Sequence, residues 1–122
     1  MRDDSLNKLI FEHKYTVEDY ITFSIAVKSG EFSGISNFCI SRNVLKDAIM
    51  FLDEMYNNLE GIYQVNDYDS DDFILFEFLS KGHIKISGQL GGSHNEQYLK
   101  YQFITDQTEL NNIINNFKGI GM

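Results

Sequence analysis

Apolar and polar residues alternate along three segments between positions 7 and 40. Residues 7–16 set Leu9, Phe11, His13 and Tyr15 at alternate positions, the spacing of a half-buried strand. Glu18-Asp19 supplies a turn. Residues 20–28 then place Ile21, Phe23, Ile25 and Val27 opposite Thr22, Ser24 and Ala26. Ser29-Gly30 forms a second turn, and 31–40 reads as a third strand weakened by Gly34. Connections this short predict an antiparallel meander.

The period then changes. From Asn43 to Leu59, Val44, Leu45, Ala48, Phe51, Leu52, Met55, Tyr56 and Leu59 recur at steps of three and four, which predicts a helix. Ser41 or Asn43 can cap its start, and Gly61 follows its end. Residues 64–72 are polar, acidic and turn-rich, hence a surface loop. Strand patterns resume at 73–79, 83–90 and 97–104, joined by turns at Ser80-Lys81-Gly82 and at 91–96. Asp106 and Glu109 have the spacing of a capping box. Leu110, Ile113, Ile114 and Phe117 give the helix that follows its apolar stripe, and Gly119 is expected to end it.

The order is β-β-β-α-β-β-β-α, a pseudo-repeat without a linker. It predicts one α+β domain over residues 1–122, built as an antiparallel six-stranded sheet with two helices packed on one face. A length of 122 residues and 43% hydrophobic content suit a single domain with a real core. There is no apolar run of membrane-spanning length and no signal-peptide pattern at the start, so the expected location is the cytoplasm, with no membrane partner.

Charge narrows the function classes. Eighteen acidic residues oppose ten basic ones, for a net charge of −8, which argues against direct contact with nucleic acid. The lone Cys39 lies in an apolar context and reads as a buried thiol. Asp67, Asp69 and Asp71 resemble the start of a calcium loop, but the sixth position is Asp72 where Gly is needed and the twelfth is Phe78. Gly88-Gln89-Leu90-Gly91-Gly92 has neither dinucleotide-fingerprint nor P-loop spacing. His13, His83 and His94 lie on separate elements, and no serine or carboxylate pair has a catalytic context. The expectation is a non-enzyme with no cofactor and no metal.

What remains is an acidic stretch interleaved with tyrosines. Asp53, Glu54, Tyr56, Glu60, Tyr63, Asp67, Tyr68, Asp69, Asp71 and Asp72 form the candidate partner-binding set. Carboxylates suit a basic protein, and tyrosines often anchor interfaces. An ordinary solvated acidic surface is the other reading of the same residues.

The second half carries a sharper signal. Asp72-Phe73-Ile74, then Gly82-His83-Ile84-Lys85-Ile86-Ser87-Gly88-Gln89-Leu90-Gly91-Gly92, then Leu99 through Leu110 with Asp106-Gln107-Thr108-Glu109, resemble the WapI family of bacterial immunity proteins. The likeness extends over about residues 20–117. It implies an antidote that neutralises a cognate toxin delivered between neighbouring cells, by stoichiometric binding. The implied partner is a basic C-terminal toxin domain, a nuclease by analogy with the family's namesake. The alternative is a non-enzymatic domain that binds another protein or a small ligand. Within the matched motifs, the Gly-rich run reads as a hairpin and the Asp-Gln-Thr segment as a helix cap.

Overall fold

The chain forms two antiparallel sheets and two helices in a computed structural model that describes residues 7–29, 31–91 and 99–121. The first sheet has the order β1 (Asn7–Val17), β2 (Tyr20–Ser29), β3 (Phe32–Ser41). Helix α1 (Arg42–Asn58) follows. The second sheet runs β4 (Ile62–Asn66), β5 (Phe73–Phe78), β6 (His83–Leu90), β7 (Leu99–Asp106), and α2 (Gln107–Ile120) closes the fold.

This corrects the expected single six-stranded sheet. The sheets have three and four strands. The additional strand is β4, whose Ile62–Asn66 pairs in register with Glu77–Phe73 of β5, where sequence reading began a polar loop at Gln64. Two layers follow from burial. Both sheets and both helices contribute apolar residues to one core, and α2 reaches each sheet: Phe117 packs edge-on against Phe11 of the first (4.7 Å) and Phe76 of the second (6.4 Å). One flat sheet would offer the two amphipathic helices a single face and leave its own apolar ends uncovered.

The meander agrees with the alternation, with one change of register. Phe11 pairs with Ile25 and His13 with Phe23, but Tyr15 pairs with Thr22, so Lys14 is a bulge. Leu9 and Phe11 point into the core with Ile21, Phe23, Ile25 and Val27. Beyond the bulge the parity flips, and Tyr15 and Val17 join Thr22 and Tyr20 on the outer face. Sequence reading had placed Tyr15 on the side of Phe11. The Glu18-Asp19 turn is present, with Glu18 at φ 54°. The turn expected at Ser29-Gly30 and the one at 91–96 extend over residues outside those described, as does the start of the strand expected at 97.

Helix α1 buries Leu45, Ala48, Leu52 and Met55, the inner part of the predicted stripe. Of the two candidate caps, Ser41 does the work, its hydroxyl accepting from the Val44 amide (3.1 Å). Asp106 caps α2 by accepting from the amides of Thr108 (3.0 Å) and Glu109 (3.2 Å). Glu109 accepts from Asn112 (3.3 Å). Gly119 does not end α2, which continues through Ile120 and buries it; the final apolar contact outweighs the roughly 1 kcal/mol that Gly costs in a helix.

Candidate functional site

The acidic loop is built around two carboxylates that face inward. Leaving β4, the Asp67 amide donates to the Asp72 carbonyl (2.9 Å) and closes the hairpin to β5. Oδ1 of Asp67 accepts from the amides of Asp69 (3.2 Å) and Cys39 (2.8 Å), and Oδ2 from the Ser70 hydroxyl (2.6 Å). The Ser70 oxygen accepts in turn from the Asp72 amide (3.0 Å). An Asp followed by Ser three residues later suits such local turns, because short polar side chains satisfy backbone donors that no ladder reaches. Asp72 is 2% exposed, and its Oδ2 accepts from the Gly91 amide (2.7 Å), where Gly91 adopts φ +78°.

The same loop seals one end of the first sheet. Cys39 donates its amide to Asp67, and its carbonyl accepts from the Tyr68 amide (2.8 Å), so the loop pairs with the edge of β3 at that residue. Burial pushes the Cys39 thiol above its ordinary pKa, against the opposing effect of a Thr22 hydrogen bond. The thiol is thus the inert, covered group the sequence suggests.

Outward from this brace lies an aromatic and acidic surface. The Tyr68 ring packs on Tyr20 at 4.6 Å, and interaction with the Tyr68 side chain holds the Tyr20 phenol above its ordinary pKa. Val17 pairs with Tyr20 and Tyr15 with Thr22 on the same face. Tyr15, Val17, Tyr20 and Tyr68 are all exposed, Tyr68 by 66%. Glu18, Asp19, Asp69 and Asp71 are exposed beside them in sequence. Arg42 approaches Asp19 at 3.8 Å, an exposed pair that contributes little to stability.

The candidate residues therefore separate by environment. Tyr68, Asp69 and Asp71 are exposed on the loop, whereas Asp67 and Asp72 are buried braces. Glu54 and Glu60 are exposed and Asp53 half-buried at the C-terminal end of α1, about 13 Å of extended β4 away from the loop. Tyr56 and Tyr63 are half-buried and pack on the core. Tyr63 stacks on Phe51 (5.1 Å), and burial followed by the Asp47 carboxylate raises its pKa. Tyr20, outside the candidate set read from the sequence, meets Tyr68 only through the fold of the loop, and the bulge at Lys14 turns Tyr15 and Val17 to the face of Tyr20.

Among the described residues, no catalytic set converges on the outer face of the second sheet. Glu77 forms an ion pair with Lys85 (3.5 Å), and His83 Nδ1 lies 3.3 Å from the Ser80 carbonyl. Among the described residues, no group of three His, Cys, Asp or Glu side chains could hold a metal ion, and no helix is long and apolar enough to cross a membrane.

Several residues of the motif stretches serve the fold. Gly88 lies opposite Tyr101, and a Cβ there would come within 2.5 Å of the Tyr101 hydroxyl, so the ring occupies the space a side chain would need. Asp72 holds Gly91, and Asp106 caps α2. A comparison with protein families matches residues 8–120 to the model described as the immunity protein WapI-like family. No curated protein and no solved structure gives a significant match.

Proposed function

Since the chain belongs to the WapI-like immunity protein family, we propose that it neutralises a cognate bacterial toxin by one-to-one binding in the cytoplasm of the cell that makes it. The toxin is a basic C-terminal domain, a nuclease in this reading, and the protein itself performs no catalysis. The family match over residues 8–120 carries the proposal. The charge of the chain supports the choice of partner: a surface that grips phosphates needs Lys and Arg, and a molecule of net charge −8 complements it.

The contact begins at the aromatic end of the first sheet. Tyr20 and Tyr68, with Tyr15 and Val17, supply desolvated anchors, and Asp69, Asp71, Glu18 and Asp19 surround them with negative charge. Asp53, Glu54 and Glu60 at the end of α1 extend the field that steers the toxin inward. Asp67 and Asp72 act indirectly, by holding the loop that presents Tyr68.

The test is titration of the purified toxin domain with this chain. One equivalent is expected to abolish toxin activity. Tyr68→Ala is expected to speed dissociation at least tenfold, a loss of about 1.4 kcal/mol, the lower range of an interface anchor. Full protection by the Tyr68→Ala chain with unchanged dissociation would move the contact elsewhere.

A further inference from the structure

We infer that the free edge of β3 is a self-pairing interface through which two copies of this chain join their first sheets. The edge is located by backbone parity. Thr22 lies opposite Cys39, and both polar groups of Cys39 point away from β2, the amide to Asp67 and the carbonyl to Tyr68. The β2–β3 register runs unbroken from Tyr20↔Ser41 to Ser29↔Phe32. In an antiparallel ladder every second residue shares this orientation, so Asn37, Ile35 and Ser33 present their amides and carbonyls to the same edge. The loop covers the edge at Cys39; from Asn37 to Ser33, among the described residues, no hydrogen bond covers it.

Open edges are ordinarily blunted by charge, proline or a bulge. This one has none of them: Ser33-Gly34-Ile35-Ser36-Asn37 is uncharged, proline-free and regularly paired to β2. Ser33, Ile35 and Asn37 are exposed, Ile35 by 72%. Ile10, Ala26 and Ile35 are register partners across the sheet and, together with Lys8 and Lys28, line a shallow, mostly apolar depression of about 410 Å³.

The occupant that fits is a second copy. On a molecule of net charge −8, this segment carries no carboxylate and lies beside Lys8 and Lys28, so two copies pair here without setting acid against acid. Two-fold pairing centred on Ile35 sets Ile35 against its counterpart and Ser33 against Asn37, each exchanging both backbone bonds. It also extends the row Ile10–Ala26–Ile35 into the other copy, making one apolar stripe across six strands. The loop at Cys39 ends the pairing and fixes its register. This interface is separate from the proposed toxin contact, so either reading can fail without the other.

Light scattering coupled to size exclusion, with amide exchange on the same samples, tests it. At about 100 µM the chain is expected at twice its mass of 14.1 kDa, with the amides of Ser33, Ile35 and Asn37 slowed as concentration rises. Ile35→Lys is expected to give a folded monomer with unchanged circular dichroism and unchanged toxin binding. A wild-type monomer with freely exchanging edge amides overturns the inference, as does a dimer that survives Ile35→Lys with those amides unprotected. Protection that appears only when toxin is added would assign the edge to the toxin and also overturn it.

Discussion

Within the acidic stretch, neighbouring residues of one chemical type do different jobs. Asp67 and Asp72 accept hydrogen bonds from Cys39, Asp69, Ser70 and Gly91, while Asp69 and Asp71 face water. The sequence shows seven consecutive polar or tyrosine positions, Asn66 to Asp72, and nothing that separates the two sorts. The distant partners, Cys39 for Asp67 and Gly91 for Asp72, lie in β3 and just past β6, 28 and 19 residues away. Tyr101 is the opposite case, a buried hydroxyl whose oxygen finds no hydrogen-bond partner among the described residues. Burial, with the Asp72 carboxylate adding to it, raises its pKa strongly. An acid whose folded pKa lies above its unfolded one adds no slope while both states are protonated. Its contribution is lost as pH climbs past the unfolded value near 10, where the unfolded chain releases its proton first. Tyr101→Phe is therefore expected to keep or raise stability at pH 7, by up to about 1 kcal/mol, and to soften the decline above about pH 10. Urea melts at both pH values check this. A loss of more than about 1 kcal/mol at pH 7 would mean the hydroxyl is satisfied.

At the scale of elements, periodicity was a good guide wherever an element has one wet and one dry face. β2 and β6 alternate cleanly, and α1 and α2 show their stripes, so they emerge within a residue or two of their observed bounds. β4 escaped because it offers only Ile62-Tyr63-Gln64-Val65-Asn66, with Ile62 exposed and Tyr63 half-buried. Its strand character comes from pairing with β5, which a local pattern does not carry. The bulge at Lys14 was hidden for the same reason, since register belongs to a pair of strands. The strand count turned on β4, the strand of the second sheet that the pattern missed. The α2 cap was legible in full as a start signal and only in part as a box. Asp106 binds two amides, but Glu109 turns to Asn112. Asp106→Ala is accordingly expected to cost about 1 kcal/mol and Glu109→Ala a few tenths. Equal losses in thermal melts of the two variants would show that Glu109 shares the cap.

Among the described residues, the buried apolar side chains form one core shared by two sheets and two helices, and Tyr20 and Tyr68 pack together at one end of the first sheet with Glu18, Asp19, Asp69 and Asp71 exposed beside them in sequence. The motif residues that resemble the immunity family, Asp72, Gly88, Gly91 and Asp106, maintain that scaffold, so they report membership without pointing to a contact. The proposed contact lies outside them, on Tyr20, Tyr68, Asp69 and Asp71, and its central physical claim is electrostatic capture followed by aromatic anchoring. The most direct measurement is the association rate with the purified basic toxin domain as a function of salt, for the natural chain and for Asp69→Asn with Asp71→Asn. Asp67 and Asp72 stay intact so that the loop keeps its shape. The account predicts a rate that falls steeply with ionic strength for the natural chain, and a slower, flatter dependence for the double variant with dissociation little changed. Identical rates and identical salt slopes for the two proteins would contradict it.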